Sequence, residues 1–112
     1  MKKSLCGLLM IVSQLPVSAS AQNTYNANLL TKITDVVTYT DELTVLFKVT
    51  NPPVVPNCNV SHFVVPASVP AENRQLILSR LLTARAGGET IYIGYDGQTC
   101  GPLGFVRVYR VG

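Results

Sequence analysis

Which cysteines can pair is the strongest constraint on what this 112-residue chain can fold into. Lys2 and Lys3 precede an apolar run at residues 5–12 (LCGLLMIV), Pro16 breaks that run, and Ala19-Ser20-Ala21 forms an A-x-A site before Gln22. Those parts in that order read as a secretory signal peptide over residues 1–21, leaving residues 22–112 as one exported domain. The apolar run is far shorter than the roughly 20 residues a membrane span requires, so no stable membrane span is expected. Cys6 leaves with the leader, and because the apolar run follows it, an acylated lipoprotein is excluded. Cys58 and Cys100 then remain. In an oxidising compartment, periplasmic or extracellular, such an even pair forms one disulfide. There is no CxxC motif, and two cysteines with the lone His62 fall short of the four ligands of a structural zinc site. Closing the chain from residue 58 to residue 100 stabilises it by about 4 kcal/mol in the chain-entropy model. That is a large share of the roughly 5–10 kcal/mol available to a domain of this size.

Composition narrows the class further. At 47% hydrophobic and 13% charged residues, the chain is not a disordered acidic or basic tail. The net charge of +3 includes Lys2 and Lys3, so removal of the leader lowers it by two. Electrostatic binding to nucleic acid needs a clustered basic surface. None is evident, and no nucleic-acid partner is expected.

Residues 22–28 (QNTYNAN) are polar and read as a loose N-terminal arm. Residues 29–39 (LLTKITDVVTY) are rich in β-branched side chains, with Ile33, Val37 and Tyr39 on one parity. Asp35 falls on that apolar parity beside two consecutive valines, which predicts a bulge there. After a turn at Thr40-Asp41-Glu42, residues 43–49 alternate, with Leu43, Val45, Phe47 and Val49 inward and Thr44, Leu46 and Lys48 outward, so the two runs form a hairpin. Three prolines in residues 51–57 (NPPVVPN) exclude a central strand and predict a stiff connection that delivers Cys58. Residues 60–65 (VSHFVV) read as a third strand ended by Pro66.

Residues 68–86 read as the one helix, with Ser68 as N-cap, Pro70 in the first turn and Glu72 near the positive end. Ile77, Leu78, Leu81, Leu82 and Ala84 form its apolar stripe and Gly87-Gly88 its stop. Residues 90–95 (TIYIGY) alternate, Asp96-Gly97 marks a turn, and residues 105–111 (FVRVYRV) close the chain as a strand. In that last strand Val106 and Val108 take the inward parity. Arg107 and Tyr109 take the other, which Phe105 and Val111 share.

The resulting order, β-β-β-α-β-β, predicts a mainly β chain with one helix, and it is the element order of the OB-fold, a five-stranded Greek-key barrel. Residues 81–100 (LLTARAGGETIYIGYDGQTC), followed by an alternating strand, resemble a group of small uncharacterised secreted bacterial proteins. Those proteins are in turn similar to the OB-fold B subunits of pentameric toxins. The resemblance covers residues 29–111, with its specific part at 70–110, and its motifs concern packing and the disulfide. It implies an OB-like barrel, export, a glycan or protein partner, and a homo-oligomeric ring. The chain lacks Trp, which many sugar-binding B subunits stack on a glycan ring, so no glycan-binding residue carries over.

A hydrolytic triad needs a nucleophile, a base and an orienting acid. The only base available is His62, better read as a structural histidine. Gly87-Gly88 follows a helix where a phosphate loop would open one. No catalytic, cofactor-binding or metal-binding residue is therefore assigned, and the chain is not expected to be an enzyme. What remains is binding. Tyr92, Arg107 and Tyr109 are the candidate partner surface on the outward side of the last two strands, because Tyr and Arg combine apolar area with polar tips. The reading reached is a secreted or periplasmic, non-catalytic binding domain stapled by Cys58–Cys100. The alternatives are a monomeric periplasmic inhibitor or envelope-stress protein that uses residues 51–57 as its contact and, ranking last, a nucleic-acid-binding OB domain.

Overall fold

A computed structural model describes residues 25–112; the leader expected at residues 1–21 and residues 22–24 of the polar arm lie outside the described residues. The chain forms β1 (Ala27–Thr38), β2 (Val45–Val49), β3 (Asn59–Val65), α1 (Ala71–Gly87), β4 (Thr90–Tyr95) and β5 (Phe105–Val111). The five strands close into a barrel in the order β1-β2-β3-β5-β4, the mainly β, OB-like architecture the element order implies. Every seam is antiparallel except β3–β5, which is parallel. No helix among the described residues is long and apolar enough to cross a membrane.

β1 serves two neighbours. Residues 27–32 pair with β4 and residues 33–38 with β2. Between the halves Ile33 faces Val49 and Asp35 faces Lys48, so Thr34 is one extra residue in β1. This is the bulge that Asp35 signalled. It moves the inward parity from Ile33 to Val36, which packs against the core. The arm expected to be loose is anchored from Tyr25 onward. Ala27 and Asn28 belong to β1, and the Tyr25 ring covers Gly94, where an added Cβ would sit 3.0 Å from its Cδ2.

Val45, Phe47 and Val49 point inward as the alternation requires. Leu43 does not: it is exposed, because the chain is still in the turn where the Thr44 hydroxyl donates to Glu42 (2.6 Å) and the strand starts at Val45. β5 carries its own irregularity. Gly94 faces Arg110 and Tyr95 faces Val108, leaving Tyr109 as the extra residue. Val111 is thereby turned toward the core while Arg107 faces out, which accounts for the mixed parity of FVRVYRV.

The helix begins at Ala71, two residues later than the Ser68 cap predicts. Pro70 disfavours helical backbone at Val69, so Pro70 itself, at ψ 142, is the N-cap and Ser68 makes no capping bond. Arg74 ties this entry down by donating to the carbonyls of Ala67 (3.1 Å) and Val69 (2.7 Å). The exit is as expected, with Gly88 in the left-handed region at φ 63. Leu81 and Ala84 are completely buried, with Ile77 and Leu78 packed beside them, but Leu82 is half-exposed and does not belong to the stripe. It lies too far around the helix from Ala84 and Ile77 to reach the barrel.

The interior is organised by aromatics. Phe47 and Phe63 stack at 5.2 Å between ring centroids, and Tyr95 meets Phe63 edge-on at 5.4 Å. α1 adds Leu81 and Ala84 to this core, and the β2–β3 connection adds Val55. Leu81→Ala should therefore cost about 3 kcal/mol, while Leu82→Ala should stay within about 0.5 kcal/mol, read as shifts in urea midpoint.

Candidate functional site

The two connections tied by the disulfide build the most distinctive part of the surface. The β2–β3 connection leaves β2 and is tied to β1 through Asn51, whose Oδ1 accepts the hydroxyls of Thr31 and Thr50 and whose Nδ2 donates to the Leu30 carbonyl (3.4 Å). Prolines 52, 53 and 56 then stiffen it. Val55 drops into the core at 4% exposure, and its neighbour Val54 is thrown outward at 93%. Asn57 takes φ 67, a backbone conformation Asn tolerates, and brings Cys58 into its bond with Cys100 at a Cα separation of 5.4 Å.

The β4–β5 connection folds back over the outside of the barrel. Asp96 organises its first turn: Oδ1 accepts the backbone N–H of Gln98 (2.9 Å) and Thr99 (3.1 Å) and the Asn26 amide (3.2 Å). The Thr99 hydroxyl donates to Oδ2. Asn26 returns the contact by accepting the Gly97 N–H (2.8 Å). These donors, first the Thr99 hydroxyl and then the Gln98 N–H, pull the Asp96 carboxyl down from 3.8 to about 2. Further on, Gly101 donates to Phe105 O (2.7 Å) and lies flat against β3 and β5. An added Cβ there would come within 2.8 Å of Arg107 Cβ and 3.1 Å of Val64 Cγ1.

Beneath this connection runs a row of outward-facing residues. Val37, Leu46, Val64 and Arg107 are successive cross-strand partners on β1, β2, β3 and β5. Leu46 and Val64 point away from the core yet are buried, Val64 completely, and Gly101 lies directly against Val64. At the far end Leu103 is forced to φ 62, ψ 13, a strain on the order of 1–3 kcal/mol for a branched residue, and it remains 68% exposed.

The expected disulfide is formed. Of the candidate partner surface, Arg107 and Tyr109 are together, with the guanidinium carbon 4.4 Å over the Tyr109 ring. The Arg107 side chain is half-buried, and its Nε is buried without a hydrogen-bond partner among the described residues. Tyr92 is elsewhere. It sits half-exposed across from Leu30, and its carbonyl accepts the Gly112 N–H (2.8 Å) at the opposite end of the β4–β5 ladder from Arg107, whose carbonyl accepts the Asp96 N–H (3.1 Å). His62 accompanies the row, edge-on to Phe105 at 5.4 Å, with Nδ1 3.0 Å from the Ser61 hydroxyl. Burial and the Lys48 charge lower its pKa, partly opposed by Asp35. Among the described residues no carboxylate hydrogen-bonds that ring, and no group of His, Cys, Asp and Glu is placed to hold a metal ion.

From the sequence, Val54 enters only within the alternative contact at residues 51–57 and Asp96 only as a turn, while Gly101 and Leu103 are given no role. Only Asp96 carried a signal, an Asp-Gly turn with Thr three positions on. Comparison with protein-family models, with curated proteins and with solved structures finds no match.

Two expectations follow from this geometry. Gly101→Ala should lower stability by about 1–3 kcal/mol, because the new methyl meets the β5 backbone, and protease cutting within residues 96–104 should become faster. For Asp96 the folded pKa lies below its ordinary value, so its contribution is complete above about pH 4 and fades as pH falls toward about 2. Asp96→Asn should therefore be less stable than the parent near neutrality, and the gap between their urea midpoints should narrow steadily across that acid window.

Proposed function

We propose that this chain is an exported, non-catalytic binding module whose two disulfide-tied connections form the contact surface for a protein partner. One observation carries the reading: Val54 and Leu103 are strongly exposed aliphatic side chains, and each sits on a connection that prolines, side-chain clamps and the Cys58–Cys100 bond hold rigid. Rigid presentation reduces the ordering cost of association. Leu103 also occupies a backbone conformation that disfavours its own side chain, as residues at ligand clamps and switch regions often do. Aliphatic tips of this kind suit a protein surface. Support for export comes from the leader-like pattern at residues 2–21, read together with a bonded cysteine pair.

The test is capture from an envelope extract on the immobilised oxidised protein, beside a Val54→Ser/Leu103→Ser double variant and a Leu82→Ser control from the exposed side of α1. The expected outcome is one retained protein shared by parent and control, bound at least roughly tenfold more weakly by the double variant, with all three melting alike. Equal retention by the double variant, or no retained protein at all, would sink the proposal.

A further inference from the structure

We propose that the Arg107 guanidinium, stacked on Tyr109 beside the β4–β5 connection, is a receptor for a carboxylate, supplied by an acidic side chain of the protein partner. The inference rests on the reading of this face as a partner contact and names the chemistry that face would recognise.

The other arginines supply the contrast. Arg74 donates to the Ala67 and Val69 carbonyls, Arg80 to the Glu89 carboxylate at 3.1 and 3.3 Å, and Arg110 to the Gly112 carbonyl at 3.0 Å. Arg85 is exposed in the last turn of α1, where a cation complements the helix end. Arg107 is half-buried, and among the described residues its side chain donates to nothing. The ion pair found among those residues is Arg80–Glu89, so none of their carboxylates neutralises Arg107. Partial removal of a charge from water without a counter-charge is unfavourable, and a ring face compensates for it only in part.

The same packing makes Arg107 a prepared receptor. Gly101 against Cα and Cβ, Val64 beside it and the Tyr109 ring under the guanidinium fix the side chain before any ligand arrives. Little rotamer freedom is then left to lose on pairing. Only Nε is buried and unpartnered, so the two Nη atoms keep access to solvent. They offer the planar fork that a carboxylate meets with two parallel hydrogen bonds. Leu103 lies two residues beyond Gly101, so an acidic side chain on Arg107 and an apolar contact on Leu103 belong to one footprint.

The experiment is a side-chain and amide NMR titration of the ¹⁵N-labelled oxidised protein near neutral pH at constant ionic strength. Sodium acetate is the probe, with sodium chloride and sodium phosphate as comparison arms. Saturable acetate shifts at Arg107 Nε–H and at the amides of Gly101, Leu103 and Tyr109 are expected. They should be absent with chloride, lost in Arg107→Gln, weakened in Arg107→Lys, and unchanged in Arg85→Gln. Acetate shifts no larger than those of chloride, acetate shifts that persist in Arg107→Gln, or saturation by phosphate alone would overturn the inference. The titrations of the parent protein decide this even if Arg107→Gln fails to fold. No partner is needed in the tube. A silent acetate arm with partner capture intact removes only the Arg107 receptor, whereas acetate binding with capture lost removes only the partner reading.

Discussion

Barrel closure depends on β1, the strand that bonds to β2 along one half and to β4 along the other. A strand shared in this way has to bend and re-aim its side chains midway. Thr34 supplies the extra residue that does both, so that Thr31 and Ile33 before it and Val36 after it are all turned away from full exposure. Closure gives every strand a neighbour on both sides. A closed barrel gives a partner little edge to extend by adding a strand, one of the recurring ways a β protein is recognised through its backbone. On the proposed reading, recognition falls instead to side chains on the barrel wall and to the connections at its ends. That is where the most exposed valine among the described residues and the strained leucine are found.

Those connections are unusually constrained for segments without regular secondary structure. The disulfide joins residues 42 positions apart, a closure worth about 4 kcal/mol in chain entropy, and it links the connection that plugs the core with Val55 to the one that covers Val64 outside it. The barrel wall at β3 is thus packed on both faces. Phe63 and Val65 face the interior, and Val64 faces a second, smaller contact under Gly101. A bulky residue at position 101 would lift the connection from the wall, expose Val64 and loosen the support of Arg107. Asp96 and Asn26 hold the other end of the same connection, which connects the start of β1 to the geometry of the site.

Much of the barrel was legible because periodicity reports directly on which face is buried. Val45, Phe47 and Val49 alternate cleanly, and the misfit of Asp35 among valines marked the bulge at Thr34. The helix start was misread because Ser68 looks like a cap only if the effect of Pro70 on its preceding residue is ignored, and Leu82 was misread because a stripe drawn from sequence is wider than the arc a helix buries. The site was legible only in part. The cysteine pair and the outward parity of Arg107 follow from composition and alternation. That Arg107 is half-covered follows from Gly101 lying against it, a contact between segments of one loop and one strand that no local pattern encodes. The opposite fates of Val54 and Val55, adjacent and chemically identical, are likewise set only by which one meets the open end of the core.

The proposed contact also explains why rigidity is concentrated where it is. A loose loop could present Val54, Leu103 and Arg107 equally well in composition, but ordering it at the moment of binding would cost about 0.5–1.5 kcal/mol for each immobilised side chain. Here the ordering is done during folding, by the disulfide, the Asp96 clamp and the prolines of the β2–β3 connection. The strain at Leu103 and the Nε of Arg107, unpaired among the described residues, oppose that ordering, and the closed barrel with its aromatic core supplies the stability that sustains them. On the proposed reading, covalent closure serves recognition as well as stability, since the same bond that shrinks the unfolded ensemble holds both proposed contact loops in the geometry a partner would meet.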